Sequence, residues 1–322
     1  MEIRSRHELK AAASDALRDA PNQKRLVLIW AAVGTVLPLL VSVLSYLLEY
    51  QIADTGGLSG IGLRSVLSTI QSVLSFSTSA LLPFWSLGYV SVTLHFARKK
   101  PANDSTLLDG FRRFFAILRL IILEILICAA VCFLCIQFVS IILSFTPLAE
   151  PFYAVMEDSQ QMLLSGVMDD ETVLALTEAM IPIFAISAIA CVIVLIPVSY
   201  RLRLASLCII DTPACGALQA IRTSLRLMRR NGFTLFRLDL SFWWFYLVKV
   251  IVSLLCYGDV LLPLLGVTLP FSYDVSFFVF YIASLLVQFG LLYVANNKVQ
   301  TTYALFYDML RTPPKEETSI LL

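Results

Sequence analysis

Residues 120–145 read LIILEILICAAVCFLCIQFVSIILSF, a run from Leu120 to Phe145 with a single charge, Glu124. Crossing about 30 Å of hydrocarbon takes about 20 mostly apolar helical residues, because every backbone amide and carbonyl must find its partner inside the segment. This run meets that requirement. So do Leu26 to Leu48, Val66 to Leu94, Met180 to Ser199 and Val275 to Val294. Leu240 to Tyr257 is shorter and carries Lys249, but it is rich in Trp, Phe, Val and Leu and follows a basic segment, so it is counted as a sixth span. The expected fold is therefore all-α: a polytopic membrane protein of about six transmembrane helices with amphipathic cytoplasmic helices.

Composition agrees. Of 322 residues, 58% are hydrophobic and 15% charged, against about 45–50% and about 25% in soluble domains. The net charge of +1 hides a strict sorting along the chain. With the N-terminus inside, one inner connection holds Arg98, Lys99, Lys100, Arg112 and Arg113. The next holds seven arginines between Arg201 and Arg237, and Lys298, Arg311 and Lys315 follow the last span. The outer connections hold only Arg64, while the acidic loop 146–179 has no basic residue. This asymmetry predicts cytoplasmic termini. Residues 1–25 form a cytoplasmic amphipathic segment with no apolar run of a signal peptide, residues 26–294 the membrane domain, and residues 295–322 a cytoplasmic C-terminal segment.

Trp and Tyr mark the boundaries, as with Trp30 at the start of the first span and Trp243 and Trp244 at the start of the fifth. Pro38, Pro83 and Pro197 imply kinks. The second apolar stretch is too long for one untilted crossing, so a break near Pro83 and Gly88 is expected. Gly-Phe-x-x-Phe occurs at Gly110 and at Gly232, as paired interfacial aromatics or as a trace of internal repetition.

Several segments carry a resemblance. They are Ser199-Tyr200-Arg201 through Asp211-Thr212-Pro213, then Ala220-Ile221-Arg222-Thr223-Ser224, Asn231-Gly232 and Phe236-Arg237-Leu238-Asp239-Leu240-Ser241-Phe242. Leu9-Lys10-x-x-Ala13-x-x-x-Leu17 and Tyr303-x-x-Phe306-Tyr307 extend the pattern to both ends. The chain thereby resembles an uncharacterised family of bacterial integral membrane proteins, the domain of unknown function 975. Asn296-Asn297-Lys298 stands where many relatives carry Pro-Tyr. The resemblance implies a bacterial plasma membrane and a helical fold, and it lends no catalytic or binding residues.

Candidate chemistry is sparse. Residues 213–231 read as one basic helix, with Asp211 or Thr212 capping it and Gly232 ending it. Its arginines Arg222, Arg226, Arg229 and Arg230 suit anionic lipid, at about 1 kcal/mol per cation near the surface, or simply satisfy the positive-inside bias. Ser65, Ser68, Ser72, Ser75 and Ser79 form a polar stripe, for close helix packing or for a solute path helped by Gln71. Glu124 and Lys249 lie at similar depth, each five residues past an interfacial marker, and an intramembrane ion pair is one way to avoid about 2.5–3.5 kcal/mol per unpaired charge. Snorkelling of Lys249 with a water-facing Glu124 is the other.

Cys128, Cys132 and Cys135 share a helix face, but hydrocarbon disfavours the thiolate that redox or zinc chemistry needs, so they read as packing residues. The acids Asp169, Asp170 and Glu171 lack the ligand spacing of a calcium loop and read as solvated. No phosphate loop, nucleophile elbow or cofactor motif is present, and arginines on membrane hairpins do not suit nucleic acid. The expected function is a non-enzymatic accessory or scaffold component whose partners are the lipid bilayer, anionic lipids and other membrane proteins. A small permease with a polar path along the second helix is the alternative.

Overall fold

The computed structural model describes residues 6–54, 59–147, 170–264, 266 and 273–311. In chain order the helices are α1 (Arg6–Arg18), α2 (Gln23–Asp54), α3 (Ser59–Ala97), a 3-10 turn (Asp104–Leu108), α4 (Asp109–Arg112), α5 (Phe114–Leu143) and α6 (Asp170–Leu202). Then come α7 (Ala205–Asp211), α8 (Ala217–Met228), α9 (Gly232–Leu240), α10 (Trp243–Cys256), α11 (Gly258–Leu264), α12 (Tyr273–Leu291), a π turn (Leu292–Asn296) and α13 (Asn297–Arg311). No strand occurs among the described residues. Five helical segments are long and apolar enough to cross a membrane, and six if α9 and α10, bent by 70° at their junction, count as one.

The long helices pair as α2 with α3, α5 with α6, and α10 with α12. They do not enclose a core of their own. None of the residues in the most apolar window of α5 is buried against the rest of the protein, and few are in the segment Met180–Asp211. Burial is concentrated at one end, where Leu9 from α1, Leu94 from α3, Ile117 from α5, Ile209 from α7, Ile221 from α8, Leu235 from α9, Phe245 from α10 and Phe306 from α13 share one cluster. This end also holds the basic connections, and it is called the basic lobe below. Apolar surface on the long helices needs no partner inside the chain when lipid can solvate it, whereas the short amphipathic helices must bury theirs against one another.

Several expectations change. α3 is continuous through Pro83 and Gly88, with no break. Gly88 is there for close approach: a Cβ on it would overlap the carbonyl oxygen of Leu107, and one on Gly110 would overlap that of Phe84. The two glycines let the 3-10 turn and α4 lie against α3, where Phe84 stacks on Phe114 with centroids 4.5 Å apart. Gly232, in the second Gly-Phe-x-x-Phe, has nothing within 4 Å of such a Cβ, so the two motifs are packed differently. α3 ends where Lys99 takes a left-handed conformation and the Lys100 amide reaches back to His95.

Residues 213–231 are not one helix. α7 ends at Asp211, a turn follows, and α8 begins only at Ala217 after Gly216. The Asp211 carboxylate is held by arginines and a tyrosine rather than by the amides of a following helix. At 14 residues, or about 21 Å at 1.5 Å per residue, α10 alone is too short to cross. Most of the acidic loop lies outside the described residues, and its last part, 170–179, already belongs to α6.

Gly88→Ala is expected to cost about 1–3 kcal/mol or more, because the obstructing atoms are backbone. Gly34→Ala, with open space around the new methyl, should leave the thermal midpoint of the detergent-purified protein unchanged or raised.

Candidate functional site

Acids are scarce in the basic lobe, and two of them organise it. Asp211, at the end of α7 with a side chain 4% exposed, faces Arg98 at 2.5 Å, is paired with Arg311, and accepts a hydrogen bond from the Tyr307 hydroxyl at 3.1 Å. Arg98 also donates to both carboxylate oxygens of Asp308, at 3.0 and 3.2 Å from Nε. Those contacts hold the guanidinium above its ordinary range against the opposing effect of burial. One arginine thus ties the end of α3 to α7 and α13.

The second centre is Asp239 in α9. It accepts from Tyr200 at 2.6 Å, from Arg203 and from the buried Tyr303 hydroxyl. Arg203 donates in addition to Tyr246 at 2.9 Å, whose hydroxyl meets that of Tyr303 at 2.6 Å, and the guanidinium lies 4.3 Å from the Tyr303 ring centroid. α1 is fixed beside this centre: Lys10 Nζ donates to the Ser241 carbonyl at 2.6 Å and sits over the Phe242 ring. Burial, reinforced by the charges of Lys298 and Arg6, holds that ammonium below the usual lysine range.

A family model described as a protein of unknown function (DUF975) matches residues 1–313. The chain belongs to that family. No curated protein and no solved structure matches it. The segments that carry the family resemblance, although up to about 300 residues apart in sequence, are the ones that meet in the basic lobe of this DUF975 chain. Asp211 comes from the Asp-x-Pro turn, Asp239 from the entry to α10, Tyr303 and Tyr307 from α13, and Lys10 from α1. At Asn296-Asn297-Lys298 the π turn ends in the buried Asn296, and Asn297 accepts from Tyr89 at 3.0 Å while Tyr89 stacks on Trp30.

The residues singled out from sequence are distributed around this lobe. Glu124 and Lys249 form no ion pair among those of the described residues. Lys249 Nζ lies 4.9 Å from the Phe245 ring centroid. Glu124 instead lines a cavity of about 480 Å³ with Tyr200, Arg203, Ser206 and Tyr246. Spacing along each helix does not fix the azimuths of the two side chains, which depend on how α5 and α10 are rotated.

Ser65, Ser68, Ser72, Ser75 and Ser79 are exposed on the outer surface of α3, with Ser65, Ser68 and Ser72 donating back to carbonyls of their own helix. Among the described residues they do not line an interior path. Arg222 and Arg226 on α8, and Arg229 and Arg230 in the turn just after it, are exposed, and the other face of α8 buries Ala220, Ile221, Ser224 and Met228. Cys191 Sγ lies 3.8 Å from the Cys132 carbonyl oxygen, and all seven cysteines are free.

A second cavity, of about 190 Å³, opens between α3, α4 and α7 and is lined by His95, Arg98, Lys100, Asp109, Arg113 and Asp211 among others. Its charges are already engaged in part, since Arg113 donates to the carbonyls of Ile209 and Ile210 at 2.7 Å and Asp109 accepts from Ser91 at 2.8 Å. No group of three or more His, Cys, Asp or Glu side chains among the described residues is placed to hold a metal ion. Sequence reasoning missed Asp211 and Asp239 as centres. The available signal was an isolated acid inside a strongly basic stretch, which needs a cationic partner once buried.

Asp211→Asn should lower stability by about 3 kcal/mol, because Arg311 and part of Arg98 lose their counter-charge. Asp19→Asn, which breaks the exposed pair of Asp19 with Lys99 at 2.9 Å, should cost less than about 1 kcal/mol. Thermal unfolding of both variants in the same detergent checks the contrast.

Proposed function

We propose that this DUF975 member is a non-enzymatic accessory or scaffold component of the bacterial cell membrane. In this reading it is multi-pass, has both termini in the cytoplasm, and assembles with other membrane proteins. The observation that carries the proposal is the division between a packed basic lobe and long apolar helices, of which α5 and α6 bury almost nothing against their own chain. Such helices offer surface to lipid or to neighbouring proteins, while the lobe holds their ends in register. The outward-facing serine stripe on α3 supports the same view, since small residues let another helix approach closely. The basic lobe belongs on the cytoplasmic side by the positive-inside bias, and the exposed arginines of α8 suit contact with anionic lipid.

The cavity around Glu124 favours a second reading, a small permease or transporter subunit, because an ionisable residue lining a cavity within an apolar helix is a common element of solute paths. The two readings differ at the serine stripe. Cysteines introduced as Ser68→Cys, Ser72→Cys and Ser75→Cys should resist water-soluble maleimides in native membranes if α3 faces lipid or a partner, because hydrocarbon excludes the reagent and disfavours the thiolate. Labelling of all three by the water-soluble reagent would favour transport. The accessory reading predicts a stoichiometric membrane-protein partner after crosslinking in native membranes and mass spectrometry. Recovery of the protein with lipid alone would count against it.

A further inference from the structure

The arginines of α8 are not equivalent. Arg229 and Arg230, at the end of that helix, face a cavity of about 380 Å³ that also receives Arg201 from the end of α6, together with Pro197, Tyr200 and Phe233. Arg222 and Arg226 do not line it. Three arginines therefore line one space, and among the described residues no carboxylate forms an ion pair with any of them. The rest of the lining is largely apolar. Ile196 and Pro197 belong to a segment apolar enough to cross a membrane, and Phe233 and Phe236 are exposed beside them. Phe233 is held in place by Arg237, whose guanidinium lies 4.3 Å from its ring centroid.

Arginines without a carboxylate partner and an apolar remainder of the lining call together for an amphiphile. Arginine presents a planar fork of donors that matches phosphate oxygens. A free anion would satisfy the guanidiniums and leave the apolar lining unused. We infer that the cavity between α6, α8 and α9 is a binding site for a phosphate-bearing anionic lipid headgroup, with Arg201, Arg229 and Arg230 on the phosphate and an acyl chain along Ile196 and Pro197. The inference deepens the lipid contact proposed above, replacing a diffuse basic face with a discrete site to which Arg201 contributes from another helix.

The test is native mass spectrometry of the full chain in mild detergent, titrated with phosphatidylglycerol and with phosphatidylcholine. One phosphatidylglycerol per chain should be retained in preference to phosphatidylcholine. Arg229→Gln with Arg230→Gln should weaken that retention about tenfold or more, and Arg201→Gln, which removes one cation, about fivefold. Arg222→Gln with Arg226→Gln should leave it unchanged, all at an unchanged thermal midpoint. If Arg201→Gln fails to fold, the exposed pair Arg229 and Arg230 carries the comparison.

Equal losses in the two arginine pairs would overturn the discrete site and leave diffuse lipid contact standing. No headgroup preference in the parent protein would overturn both. Displacement of the lipid by millimolar inorganic phosphate would assign the site to a soluble anion and overturn the lipid.

Discussion

The carboxylates of Asp211 and Asp239 give Arg98, Arg311 and Arg203 their acceptors, and the rest of the basic lobe is arranged around that provision. Each gathers donors from helices that are distant in sequence: Arg98, Tyr307 and Arg311 on one, Tyr200, Arg203 and Tyr303 on the other. A partly buried guanidinium without a carboxylate would be strongly unfavourable, so the geometry that supplies one is selected over other packings of the same short helices. Because α13 contributes to both centres, the last helix locks together the ends of α3, α6 and α7.

This lobe does for the long helices what a hydrophobic core does in a soluble domain. Between helices in lipid there is little hydrophobic drive for association, and packing and hydrogen bonds must substitute. Here the substitution is concentrated at one end. Gly88 and Gly110 allow the turn after α3 to seat directly on it, and Trp30, Tyr89 and Asn297 link α2, α3 and the start of α13 by stacking and a hydrogen bond. The long helices are then free to present apolar residues such as Phe133 and Phe138 outward. That division suits a protein that works through its surfaces.

The π turn before α13 belongs to the same scheme. One extra residue in the turn rotates the helix that follows, so that Asn297, Tyr303 and Tyr307 all face inward. An α-helix continued without it would carry those side chains about 100° around the axis per residue of offset, away from Tyr89 and the two carboxylates.

What the sequence determined by itself was the set of helices that can cross a membrane, because that follows from length and the absence of charge, both local properties. It also marked the basic end, since the sorting of Lys and Arg is legible without coordinates. Contacts between helices were not legible. Asp211 reads locally as a cap, and only the folded chain shows its carboxylate taken by Arg98, Arg311 and Tyr307. Gly88 reads as a breaker, yet it is a contact point for the backbone of Leu107. Glu124 lines a cavity that Lys249 does not, and Arg201 joins Arg229 and Arg230 across nearly thirty residues of chain. Depth along a helix is fixed by residue number at 1.5 Å per step. Rotation about its axis, which decides what each side chain meets, is fixed only when the helices pack.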